Sequence, residues 1–119
     1  MENFYQNVIG LELVADQGWT KIYQVSESGF IGLVDERRGM HSFTEQKAVS
    51  LSFVLDDLEG WHTYASANHP FEMRSDELST GPEERYRAFV AYGPEGYFLE
   101  FDKFFTHPDN DMLMQFLEQ

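Results

Sequence analysis

Residues 85–92 and 97–101 are two runs rich in aromatic and β-branched side chains, separated by Gly93, Pro94, Glu95 and Gly96. That pattern predicts a β-hairpin closed by a four-residue turn. One carboxylate, Glu100, interrupts the otherwise apolar second run. Burying a bare carboxylate is costly, so Glu100 needs a partner, a proton, a metal or water.

The rest of the chain supplies more hairpins and two helices. Residues 2–9 set Phe4, Tyr5, Val8 and Ile9 on one helical face, and Gly10 follows as a C-terminal cap. Residues 11–15 read as a strand, and 19–25 with 30–36 as a hairpin turning at residues 26–29. Residues 41–47 are polar and read as a linker. Residues 49–55 alternate, with Val49, Leu51, Phe53 and Leu55 on one face and Ser50, Ser52 and Val54 on the other. Asp56, followed by Glu59, predicts a helix start; the helix runs to about Asn68, buries Leu58, Trp61 and Ala65, and stops at His69-Pro70. Residues 71–74 read as a short strand and 76–84 as a loop. Pro108 precedes a short amphipathic helix over 109–118.

In order this is α-β-β-β, linker, β-α-β-β-β, then a helix. The halves match as a structural repeat if the first lacks one leading strand. The expected class is α+β: a single domain with module one at 1–40, a linker at 41–47, module two at 48–105 and a C-terminal helix.

With 21 Asp and Glu against 8 Lys and Arg, the formal net charge is −13. Nucleic acid and anionic membrane are therefore unsuitable partners, since both are bound through cationic side chains. There is no cysteine, which removes thiol nucleophiles, disulfides and thiolate metal sites. No apolar run spans a bilayer and no leader is evident, so a cytoplasmic location is expected.

The opening Phe4-Tyr5-x-x-Val8-x-Gly10-Leu11-x-Leu13 resembles the helix-to-strand motif of the vicinal oxygen chelate superfamily. That superfamily includes glyoxalase I, extradiol dioxygenases and the bleomycin- and fosfomycin-resistance proteins. The stretch from Gly93 to Phe101 is similar to the superfamily's closing Asp-Pro-Asp-Gly…Glu motif, with Gly93 in place of the first Asp. Residues 53–58 are similar to the junction that opens the second module. The resemblance implies paired βαβββ modules whose curled, mixed sheets surround a cleft for metal and substrate.

Family ligands come from the first, fourth, fifth and last strands. In this chain the first strand is missing, the fourth-strand position is Gly32, the fifth-strand position is Ser50, and Glu100 alone matches. One carboxylate is too few donors for a divalent ion, so no cofactor is expected. If a divalent metal does bind, Glu100 and His41 are the candidate ligands. The other histidines, His62, His69 and His107, read as surface or capping residues.

Pairing across a four-residue turn sets Tyr92 opposite Tyr97, Phe89 opposite Glu100 and Arg87 opposite Asp102. Arg85, Arg87 and Phe89 then share a face with Phe98 and Glu100. By the same logic Lys21, Tyr23 and Val25 share a face with Phe30, Gly32 and Val34. The expected ligand lining is Tyr23, Ser50, Ser52, Arg85, Arg87, Phe89, Phe98 and Glu100. Against it stand plainer roles: Arg87 as an ion-pair partner of Glu100 or Asp102, and Tyr23 and Phe89 as core aromatics.

Three functions are compatible with this pattern. The leading one is a metal-free protein binding a small, partly apolar or aromatic molecule. The others are a metal-dependent lyase, isomerase or dioxygenase using Glu100 as ligand or general base, and a scaffold without ligand. A missing edge strand leaves unpaired backbone, so a homodimer is expected.

Overall fold

The computed structural model describes residues 1–39, 43, 44, 47, 49–68 and 72–117. Most of the expected linker, including His41, lies outside the described residues, as do His69, Pro70, Phe71 and residue 118. Two compact units are present, Met1–Glu45 and Gln46–Gln119. Among the described residues no helix is long and apolar enough to cross a membrane.

The first unit opens with a π-helical turn, Phe4–Val8, in which Ile9 N–H donates to Phe4 O at 2.9 Å. Gly10 follows at φ +86°, a conformation that favours glycine, and Leu11 N–H returns to Tyr5 O at 3.0 Å. Three antiparallel strands come next: β1 (Glu12–Asp16), β2 (Thr20–Gln24) and β3 (Phe30–Val34), in that order across the sheet. Val14 is an extra residue in β1, since Leu13 pairs with Tyr23 but Ala15 with Ile22. It makes a β-bulge. Phe4, Tyr5, Ile9 and Tyr23 are buried.

The second unit contains β4 (Ser50–Val54), α1 (Leu58–Asn68), β5 (Glu72–Met73), β6 (Ser79–Thr80), β7 (Tyr86–Tyr92), β8 (Phe98–Phe104) and α2 (Asp111–Leu117). The sheet order is β4-β8-β7-β5, with β6 also on β7. β4 runs parallel to β8 and the other pairs are antiparallel. A parallel neighbour requires a crossover, and α1 provides it. This is the expected βαβββ arrangement, while the first unit has the helical turn and three strands of one.

Helix α1 begins one residue later than the sequence suggested. Asp57, rather than Asp56, caps it, its Oδ1 accepting from Gly60 N–H at 3.0 Å. The helix covers the sheet through Leu58, Ala65 and Trp61. Phe101 is the centre of that layer: it stacks on Phe89 (centroids 4.6 Å), Phe53 (5.4 Å) and Trp61 (5.9 Å). The region expected as a loop, 76–84, holds β6 and a 3-10 turn, Pro82–Glu84.

Both hairpin registers differ from the expected ones, and for one reason. Gly93 N–H donates to Tyr97 O at 2.8 Å, so Gly93 belongs to the ladder and the loop is three residues long. Gly96, at φ +90°, closes it in the left-handed conformation typical of such loops. Tyr92 therefore faces Phe98, Phe89 faces Phe101, and Arg87 faces Lys103. Likewise Val25 N–H donates to Gly29 O at 2.8 Å, and Tyr23 faces Ile31 while Gly32 faces Ile22.

Truncating Phe101 removes the ring that joins α1, β4 and β7. Phe101→Ala should cost about 3–5 kcal/mol, and Asp57→Ala about 1 kcal/mol; urea unfolding of both variants checks this ordering.

Candidate functional site

The corrected register divides the expected lining residues between opposite faces. Parallel pairing sets Ser50 beside Phe98 and Ser52 beside Glu100. These four share the face of the second sheet that points away from α1. Arg87 and Phe89 alternate onto the other face, where Arg87 Nη1 pairs with Glu59 of α1 at 3.2 Å and Phe89 lies against His62. Arg87 is thus tied to the helix, not to Glu100 or Asp102. Arg85 precedes β7 and pairs with Glu83 and Asp109, both at 2.7 Å. Tyr23 lies in the first unit, fully buried, with a hydroxyl that has no hydrogen-bond partner among the described residues.

The remaining histidines within the described residues have local partners. His62 Nε2 lies 2.8 Å from Asp76 O. His107 accepts from Asp109 N–H through Nδ1, which leaves Nε2 to donate to Glu83 at 3.1 Å. Each fastens a loop or helix start.

On the open face, Ser52 Oγ donates to Glu100 Oε2 at 3.1 Å. Asp102 lies two residues further along β8 on the same side and is only 5% exposed. Burial pushes its carboxyl up to about 6; the charge of Glu100 adds to this, and the Ser52 hydroxyl opposes it. In the sequence Asp102 stands out only as a possible partner for Arg87. Its i, i+2 spacing from Glu100 was the available signal.

An aromatic strip borders these groups. Phe98 lies against Tyr92, centroids 5.3 Å apart, and the Arg74 guanidinium sits 5.6 Å from the Phe98 ring. Arg74 also donates its backbone N–H to Val90 O, opposite Glu100, which explains its reach over this face. Its role depends on the pairing of β5 with β7 and is not legible in residues 71–74 alone. Two carboxyl groups, one hydroxyl, two rings and a guanidinium can orient a small molecule through both hydrogen bonding and stacking. A carboxyl titrating near 6 beside a second one can also carry a proton.

As a metal site the arrangement is short of donors. Among the described residues no three His, Cys, Asp or Glu side chains converge. A hydroxyl and two carboxyls, one of them inclined to hold a proton, do not fit a resident divalent ion.

A second buried acid sits in the β7–β8 loop. Glu95 is 3% exposed, and its carboxylate oxygens have no hydrogen-bond partner among the described residues. Lys47 donates instead to its backbone carbonyl at 2.6 Å. Desolvation raises this carboxyl as well.

Both acids bind a proton more tightly folded than unfolded. For Asp102 the stabilisation is complete below about 3.8 and is lost as pH rises through about 6. Stability should therefore fall between these values. Asp102→Asn, neutral throughout, should flatten that fall and gain on the order of 2 kcal/mol relative to wild type by neutral pH. Urea midpoints measured at pH 4, 5, 6 and 7 check the sign; a wild type that gains stability over this range contradicts it.

No protein-family model and no curated protein matches the sequence. Solved structures do match. The fosfomycin resistance protein FosX from Listeria monocytogenes superposes with TM-score 0.64 at 13% identity, covering 90% of this chain and 82% of that one. Lactoylglutathione lyase from Agrobacterium tumefaciens gives 0.63 at 17%, covering 86% and 81%. A glyoxalase/bleomycin resistance protein/dioxygenase from Alicyclobacillus acidocaldarius gives 0.64 at 16%, covering 95% and 84%. At these identities the likeness speaks for the fold alone. The chain has the fold of the glyoxalase/bleomycin-resistance/dioxygenase proteins, that of the vicinal oxygen chelate superfamily.

Proposed function

We propose that this protein binds a small, partly aromatic molecule without a metal, on the open face of the second sheet. The observation that carries the reading is the junction of the Phe98–Tyr92–Arg74 strip with the Ser52–Glu100–Asp102 group. A ring stacks on Phe98, beneath or in place of the Arg74 guanidinium. A donor on the ligand, such as an amine or amide N–H, is accepted by Glu100, and protonated Asp102 donates to an acceptor. The structural neighbours that include a fosfomycin resistance protein and a lactoylglutathione lyase are consistent with small ligands on this fold.

Thermal-shift screening with aromatic and cationic metabolites tests this, because a ligand selective for the folded state raises its melting temperature by mass action. Hits should lose roughly tenfold or more in affinity in Glu100→Gln and in Phe98→Ala, the cost of one charge-assisted hydrogen bond or one stacked ring. A flat response across the panel favours an unliganded scaffold. Stoichiometric divalent metal in protein purified without chelator, lost in Glu100→Ala, overturns the metal-free reading in favour of a metal-dependent enzyme.

A further inference from the structure

The two edges of the first sheet are treated in opposite ways. β1 is blunted by its bulge at Val14 and by Glu12 and Asp16. Such features discourage another strand from pairing. β3 has none of them: it is regular, and no charged residue lies between Glu27 and Asp35.

Its backbone is also open. Val25 N–H donates to Gly29 O, and Asp35 N–H donates to Trp19 O, each at 2.8 Å. The hydrogen-bonded pairs with β2 therefore fall at residues 29, 31, 33 and 35. Phe30, Gly32 and Val34 must direct their peptide groups away from β2, and no described strand receives them. Phe30 is 56% exposed and Val34 50% exposed, so neither is covered by the described residues.

We infer that β3 pairs antiparallel with β3 of a second copy, about a two-fold axis at Gly32. In this register Gly32 faces its own equivalent, and Phe30 of each copy faces Val34 of the other. The outward groups then exchange hydrogen bonds at all three positions. On the other side of the ladder, Ile31 of each copy faces Leu33 of the other. Phe30 also lies diagonal to the facing Gly32, where an aromatic ring covers the missing side chain.

Charge selects this partner and direction. The register carries the turn holding Glu27 in one copy toward the turn holding Arg37 and Arg38 in the other, twice by symmetry. Arg37 is already bound to Asp35, through Nε at 3.0 Å and Nη2 at 2.6 Å. Arg38 is the cation this register offers to Glu27. For a chain of net charge −13, association through an uncharged strand flanked by matched opposite charges avoids the general repulsion. The contact is short, so the dimer is expected to be concentration-dependent rather than permanent.

Sedimentation of the intact chain over a concentration series reads the association. Phe30→Lys and Val34→Lys, both at exposed positions, should each weaken it roughly tenfold or more. Glu27→Arg should also weaken it, and adding Arg38→Glu should restore it. The absence of cysteine allows a positional test: Gly32→Cys places one thiol at the axis, where a new Cβ meets only Thr20 Oγ1 at 3.9 Å. A short bis-maleimide should join Gly32→Cys into dimers and leave Val14→Cys, on the blunted edge, monomeric. A monomer at every concentration, association unchanged by the lysines, or equal cross-linking of both thiols overturns the proposal.

Discussion

Strand β8 is hydrogen-bonded along both edges, parallel to β4 and antiparallel to β7, and the second unit takes its sidedness from that double registration. Leu99 and Phe101 point to α1, while Phe98, Glu100 and Asp102 point the other way. The aromatic layer around Phe101 enforces this choice. A one-residue slip would carry Glu100 and Asp102 into the rings and turn Phe101 out. Placing two carboxyl groups among aromatic side chains without partners would cost several kcal/mol. The apolar core thus holds the acids on the open face by fixing the register of β8.

Much of this was legible in the sequence, because alternation and helical spacing depend only on neighbours along the chain. Ser50, Ser52, Phe98 and Glu100 could be grouped because alternation within β4 and β8 was enough. Arg87 and Phe89 were placed on the wrong face because their side depends on loop length. Each hairpin has four turn-forming residues in sequence, but only three of them lie outside the ladder. The odd count arises because Gly93 and Gly29 join their ladders, and Gly96 closes the second loop with a positive φ. A parity error of one residue exchanges the two faces of a strand while leaving its boundaries almost unchanged. Glu95 gave no signal at all, since an acid in a Gly/Pro turn reads as exposed and its burial depends on packing remote in sequence.

The acidic composition acquires a different meaning once the buried groups are separated from the rest. Most carboxylates lie on the surface and confer solubility and mutual repulsion. Burial shifts Asp102 and Glu95 toward their protonated forms, so both give up a proton less readily than the surface acids. The Lys47 ammonium donates to the Glu95 backbone carbonyl, and its charge offsets part of the desolvation of that carboxyl. Among the described residues neither carboxyl forms an ion pair with a cationic side chain, so the cost of burying each is only partly offset.

That cost bears on what the open face can accommodate. A dication bound by Glu100 and Asp102 would first have to expel the proton that Asp102 favours near pH 6, so its affinity would fall on the acid side. The hydroxyl of Ser52 brings no charge to offset this, and Arg74, a cation over the neighbouring Phe98 ring, would repel the ion. An organic ligand meets the opposite circumstances. The proton on Asp102 becomes a donor, Glu100 remains an acceptor, and Arg74 with Phe98 offers a surface for a ring. The features that disfavour a metal are the same ones that suit a small molecule with both hydrogen-bonding and aromatic parts.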